Sequence, residues 1–220
     1  MTDDLFTQLL NLTVGAMLLL AVLILWRREL AAIITLFAAQ GVALAATVGL
    51  LALHEGSIEL AVVTALMLAL RAGILPLVLR RTLAAAGPNR RETRPLVNVV
   101  ASLLAAAGLT LLAYAVAQPL VELDPSPATH AIPAALAFAL IGFLVLVTRR
   151  LALSQVVGFL LLDNGITAVG ILTTAGIGLV VELGISMDVL LVVIVLQVLK
   201  ARIRAAFGAT DLDELRELHD

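Results

Sequence analysis

The sequence predicts an all-α polytopic membrane helix bundle of about seven transmembrane helices, with the N-terminus outside and the C-terminus cytoplasmic. Three observations predict it. Of 220 residues, 62% are hydrophobic and 14% charged, with a mean hydropathy of +1.12. A soluble domain of that length needs a more polar exterior. Apolar runs recur at the length of a membrane-crossing helix, about 20 residues, without the alternation by twos of barrel strands. The arginines and lysines, finally, gather at every second connection.

The first run begins at Leu5, after MTDD, and extends to Trp26. It lacks the basic start and small-residue cleavage site of a signal peptide and reads as a retained span. The next candidates are 30–53, 58–79, 96–117, 131–148, 151–174 and 177–199. Arg27 and Arg28 follow the first span, and Arg80, Arg81, Arg90, Arg91 and Arg94 follow the third. Arg149 and Arg150 follow the fifth, and Lys200, Arg202, Arg204 and Arg216 follow the seventh. The intervening loops, 54–57, 118–130 and 175–176, hold no lysine or arginine. The positive-inside rule makes the basic side cytoplasmic. The remaining basic residue of the 14, Arg71, falls within the third span.

Two loops have some character. GPNRRETRP (87–95) is basic and cytoplasmic, whereas QPLVELDPSPATHAIP (118–133) is external, proline-rich and acidic. Each reads as a solvated connector or a docking surface. The tail ATDLDELRELHD suggests a short helix capped by Thr210 or Asp211, with Leu212, Leu215 and Leu218 forming one stripe against a partner or the membrane surface.

Several function classes drop out. A formal charge of −2 offers no excess of basic residues for nucleic acid. The chain has no cysteine, which removes disulfides, cysteine-ligated iron–sulfur clusters and thiol nucleophiles. His54, His130 and His219 are out of helical reach of one another, so neither a metal nor a haem site is expected, and no cofactor.

A weak internal echo divides the chain. Arg27-Arg28 precedes a span with Gln40-Gly41, and a Glu59-led span ends in Arg80-Arg81. Later, Arg149-Arg150 precedes a span with Asn164-Gly165, and a span with Glu182 ends in Lys200-Ala-Arg202. Such an echo fits a parallel three-helix repeat, although short-looped bundles also produce coincidences of this kind. The expected organisation is an N-terminal three-helix unit (1–94), a linking fourth helix with its external loop (95–130), a C-terminal three-helix unit (131–207) and a cytoplasmic tail (208–220).

The informative residues are charges inside the bilayer, each costing roughly 2.5–3.5 kcal/mol near its centre on insertion scales. Asp163 interrupts LLLDNGITAV in the middle of the sixth span, Asp188 lies mid-way along the seventh, and Glu182 lies nearer its outer end. Arg71 lies in LMLALRAGILPLVL, just before Gly73 and Pro76. Pro76 withholds a hydrogen bond from the carbonyl of Ala72, which predicts a kink beside the charge. Three readings are open. Arg71 pairs statically with an acid and locks the bundle. The acids form a cation site, though two helices would supply only part of the six or so oxygens of a full cage. The acids are proton stations, the reading the pattern favours, with Asn164, Gln155, Gln40 and Gln197 holding connecting waters or bonding neighbouring helices.

The segment RRLALSQVVGFLLLDNGITAVGIL, followed by VVELGISMDVLLVVIVLQVLKARI, resembles the C-terminal half of hydrogenase-4 component E. The first family pattern is matched by Gln155, Gly158, Phe159, Leu160, Asp163, Asn164, Gly165 and Ile166, and the second by Glu182, Leu183, Gly184 and Asp188. ALRAGILPLVLRR is similar to the family's helix with a basic residue followed by proline. The resemblance implies a small subunit in the bacterial plasma membrane, belonging to group 4 nickel–iron hydrogenases or formate-hydrogenlyase-like complexes. Its last three helices would be similar to the NuoK subunit of complex I and the matching subunit of Mrp-type antiporters. Partners would be antiporter-like and quinone- or hydrogenase-anchoring membrane subunits, plus a peripheral redox arm holding the redox centres. Asp163, Glu182 and Asp188 would then form part of a proton path. Two residues depart from the family: Asp163 replaces a glutamate, and Arg71 replaces a lysine. Arginine stays protonated, so the resemblance leaves Arg71 an electrostatic role rather than a carrier's. The rival readings are a subunit of a cation/proton antiporter without a redox arm and a purely structural spacer.

Overall fold

The computed structural model describes residues 2–85 and 97–174. The seventh predicted span (177–199), the loop at 87–95 and the tail lie outside the described residues, as do Glu182, Asp188 and Gln197. Among the described residues every element is helical and six spans are long and apolar enough to cross a membrane. The chain is a multi-pass membrane helix bundle.

Helix α1 (Asp3–Trp26) opens with Asp3 and Asp4, acids that suit the positive end of the helix dipole. It buries Phe6, Leu10, Val14, Met17, Ala21 and Ile24 at spacings of three and four. Helix α2 (Leu30–Glu55) stops at Gly56, whose φ of 66° is the left-handed geometry of a glycine C-cap. The third span begins as α3 (Ile58–Met67), with the Ser57 hydroxyl accepting the Leu60 N–H at 3.3 Å. It passes through a π-helical segment (Leu68–Ile74) and ends as α4 (Leu75–Ala85). The irregularity expected from Pro76 is thus a widened turn around Arg71, closed by the Leu75 N–H on the Leu70 carbonyl.

The fourth span, α5 (Val99–Leu123), is started by Asn98, whose Oδ1 accepts the Ala101 N–H at 2.7 Å. Its outer end departs from expectation, because the predicted 96–117 span runs on to Leu123. The external loop 118–130 correspondingly contracts to three residues, Asp124–Ser126. Pro119 withholds one hydrogen bond from the Ala115 carbonyl without ending the helix. Pro127 occupies the first turn of α6 (Pro127–Thr148), where its missing N–H costs nothing. Ser126 and Thr129 close a reciprocal capping box there. The expected boundary at 130/131 therefore falls inside α6.

Helix α7 (Ala152–Thr174) lies against α6 almost backbone to backbone. A Cβ at Gly142 would meet the Leu162 nitrogen at 2.5 Å, one at Gly158 the Leu146 nitrogen at 2.5 Å, and one at Gly165 the Ala139 Cα at 2.5 Å. Water-driven burial is absent between helices in lipid, so such close approach supplies the dispersion contacts that hold them. In the bundle, α2 touches α1, the third span and α7, while α6 touches α1, α5 and α7. At the basic end the Arg149 guanidinium, only 4% exposed, faces two of the last carbonyls of α1, Ile24 at 3.2 Å and Leu25 at 2.7 Å, and that of Arg27 just beyond it at 2.9 Å. Arg80 donates to the Thr35 hydroxyl at 3.2 Å near the start of α2. Among the described residues, Arg27, Arg80 and Arg149 therefore share one end of the molecule.

Candidate functional site

The charged residues of two spans meet at mid-depth. Arg71 is the fourteenth of 27 residues in the third span, and Asp163 the twelfth of 23 in α7. Their side chains form an ion pair, Arg71 Nη2 to Asp163 Oδ2, at 2.8 Å. The same nitrogen donates to Thr167 Oγ1 at 3.0 Å. Thr167 lies one turn beyond Asp163, so both acceptors share a helix face. Arg71 is 2% exposed, whereas the Asp163 side chain keeps 19% of its surface accessible. The cation is sealed and the pairing Oδ2 is buried with it; the accessible part of Asp163 lies elsewhere on its side chain.

A second polar pair borders the first. Asn164 Nδ2 donates to Gln40 Oε1 in a hydrogen bond between α7 and α2, and both residues are essentially fully buried. Gly41 lets α2 approach the π segment: a Cβ there would lie 2.8 Å from the Arg71 carbonyl oxygen. Gln40, Arg71, Asp163, Asn164 and Thr167 thus form one polar seam where α2, the third span and α7 converge. The wide turn and the glycine bring Arg71's backbone close to α2, and its long side chain spans to α7.

Gln155 lies elsewhere. It is exposed near the start of α7 and donates through Nε2 to the Arg149 carbonyl at 3.0 Å. Eight residues separate it from Asp163, about 12 Å along the axis. Sequence reasoning missed Thr167, although a hydroxyl one turn after a mid-span acid is legible in LLLDNGITAV. The two places paired by the internal echo also touch: Gln40 bonds Asn164, and Arg149 bonds the Arg27 carbonyl. No group of three or more histidines and acids among the described residues is placed to hold a metal.

Chemically, the seam offers a carboxylate that takes or gives up a proton, a cation that stays charged, a hydroxyl able to do both, and two amides that orient neighbours without ionising. Truncating one partner of a buried ion pair strands the other, at about 3–5 kcal/mol. The pair is therefore costly to break by mutation.

No family model matches the chain, and no solved structure matches it. It is 49% identical over 220 residues, all of both chains, to the "Uncharacterized protein Rv0085" of Mycobacterium tuberculosis. It is 30% identical over 131 residues to hydrogenase-4 component E of Escherichia coli K12 and of Shigella flexneri, a stretch covering 60% of this chain and 61% of theirs. The full-length match settles the family: the chain belongs with the mycobacterial protein Rv0085, in a family with homology to hydrogenase-4 component E over part of its length.

Proposed function

We propose that the protein is a membrane-arm subunit of a hydrogenase-4 or formate-hydrogenlyase-like complex related to complex I, and that Asp163, with Glu182 and Asp188, forms part of its proton path. Arg71 holds Asp163 in the bilayer and biases its charge. The observation that carries this reading is the asymmetric ion pair at mid-depth, a sealed guanidinium facing an aspartate whose paired Oδ2 is buried but whose side chain keeps 19% of its surface accessible. An acid that exchanges protons needs that access, and a lock does not. The partial likeness to hydrogenase-4 component E supports the assignment to a multisubunit complex.

The departures at positions 71 and 163 bear on the geometry of the pair. A carboxylate shortened by one methylene faces a longer basic side chain, so the two changes offset one another across the gap. The redox chemistry belongs to partner subunits, and the lipid bilayer surrounds this one. The ion pair also fits a static lock, which is the second reading, and the two differ in what Asp163→Asn does to coupled transport.

Purification of the native assembly and identification of its subunits by mass spectrometry test the setting. A nickel–iron-type large subunit, or a degenerate homologue of one, together with antiporter-like subunits is the expected result. Antiporter-like subunits with no redox arm would instead make the chain part of a cation/proton antiporter.

A further inference from the structure

Three helices meet at the level of Arg71, and each of them faces both of the others. On α2 the adjacent residues Gln40 and Gly41 serve different neighbours. Gln40 Oε1 accepts the Asn164 Nδ2 of α7. Gly41 lies against the Arg71 backbone, where an added Cβ would come within 2.8 Å of the carbonyl oxygen and 2.9 Å of the carbonyl carbon. On α7 the adjacent residues Asp163 and Asn164 divide in the same way, Asp163 to the Arg71 guanidinium at 2.8 Å and Asn164 to α2. Arg71 closes the triangle, with its backbone on α2 and its side chain on α7. Successive residues stand about 100° apart around a helix, so the acid and its neighbouring amide turn together. A roll of α7 that carries Asp163 off Arg71 also pulls Asn164 from Gln40.

Arg71 holds α7 at Asp163 and, one turn on, at Thr167, both on one face. Gln40 grips the face beside it, and a grip on two faces resists rolling where a grip on one does not. Stability alone is a poor reason for this amide pair. Gln40 is fully buried, and among the described residues its Nε2 has no hydrogen-bond partner. A buried donor left so is penalised, and two apolar side chains of the same shape hold helices together as well or better. About one turn away on the same helices, Leu44 and Leu161 are fully buried and already supply apolar packing. What a directional bond adds is specificity, because it forms at one roll of α7 and not at others.

We propose that Gln40 and Asn164 are positioning residues, whose amide bond sets the roll of α7 at which Asp163 meets Arg71. The assignment deepens the proton-path reading of Asp163 and rests on it for its purpose, since a carboxyl passes a proton only within hydrogen-bond reach. Neither amide carries a proton.

A double-mutant cycle reads how strongly Arg71 and Asp163 interact, as non-additivity in the melting-temperature changes of Arg71→Lys, Asp163→Glu and both together in the full-length solubilised protein. Repeated in a Gln40→Leu/Asn164→Leu background, the cycle should lose roughly half or more of that non-additivity. The background variant itself should melt within a few degrees of the parent, because both partners of the bond are gone. In the native assembly the same leucine pair should lower coupled proton movement about tenfold. A merely structural amide pair would leave the non-additivity whole, and that result overturns the proposal. If the leucine pair fails to fold, an exchange carries the test. Gln40→Asn and Asn164→Gln make the link one methylene too short or too long, and the variant with both restores its length. Non-additivity between positions 71 and 163 should fall in each single background and return in the exchange. An exchange no better than the singles also overturns the proposal. The two readings fail separately: reduced non-additivity with proton movement at the parent rate upholds the positioning and contradicts the proton path.

Discussion

Position 163 shows how one methylene matters in a membrane interior. The aspartate reaches Arg71 Nη2 at 2.8 Å because that guanidinium extends from a π-helical turn pressed against Gly41. If the shorter acid and the longer base are matched to one gap, exchanging both should restore what exchanging either disturbs. Arg71→Lys and Asp163→Glu are each expected to lower the thermal stability of the detergent-solubilised protein. The double variant should recover toward the parent, with a coupling of about 1 kcal/mol or more in the double-mutant cycle. Strict additivity would mean that the ion pair is not the feature holding the two side chains. The sequence displays the charges of this pair but not their pairing. Arg71 and Asp163 are 92 positions apart, and only the convergence of three helices joins them. Gln155 illustrates the converse: it belongs to the same motif as Asp163, yet its hydrogen bond is to the Arg149 carbonyl at the basic end.

Helices in this bundle are shaped by small residues and prolines more than by their apolar majority. Gly142, Gly158 and Gly165 let α6 and α7 meet backbone to backbone, and a side chain at any of them would strike main-chain atoms. Gly165→Val should therefore force α6 and α7 apart, at a cost of about 1–3 kcal/mol, and lower both the melting temperature and the yield of folded protein. Gly108→Ala, on the outward-facing α5, is the matched control, because nothing lies within 4 Å of its added carbon. Equal effects from the two substitutions would contradict the packing account. At this scale the sequence was legible in its middles and less so at its ends. Proline at 119 and 127 looks like loop material in a string of residues, but one is absorbed within α5 and the other starts α6. Pro127 starts α6 because it falls in the first turn, beside the Ser126–Thr129 capping box, whereas Pro119 falls inside α5 and costs it one hydrogen bond. The π turn was announced as a kink at Pro76 because proline marks an irregularity without specifying its form.

For the whole molecule, hydropathy carried the architecture: the described residues hold six membrane-length helices at the six predicted places, within a few residues at most ends. In lipid the backbone must satisfy itself, which makes apolar length nearly equivalent to a span. The buried contacts of Arg149 with the end of α1 add a reason beyond orientation for a basic residue at that position. The seam itself, a sealed arginine beside a partly accessible acid with an amide pair at its flank, is a property of the assembled bundle and could be anticipated only as a set of unplaced polar residues. Its use by a larger complex is the central claim, and Asp163→Asn in the purified native assembly, reconstituted into vesicles, tests it most directly. Neutralising one carboxylate should leave electron transfer between the redox partners running while coupled proton movement falls by about tenfold or more. Proton movement at the parent rate, in an assembly that retains all its subunits, would contradict the account.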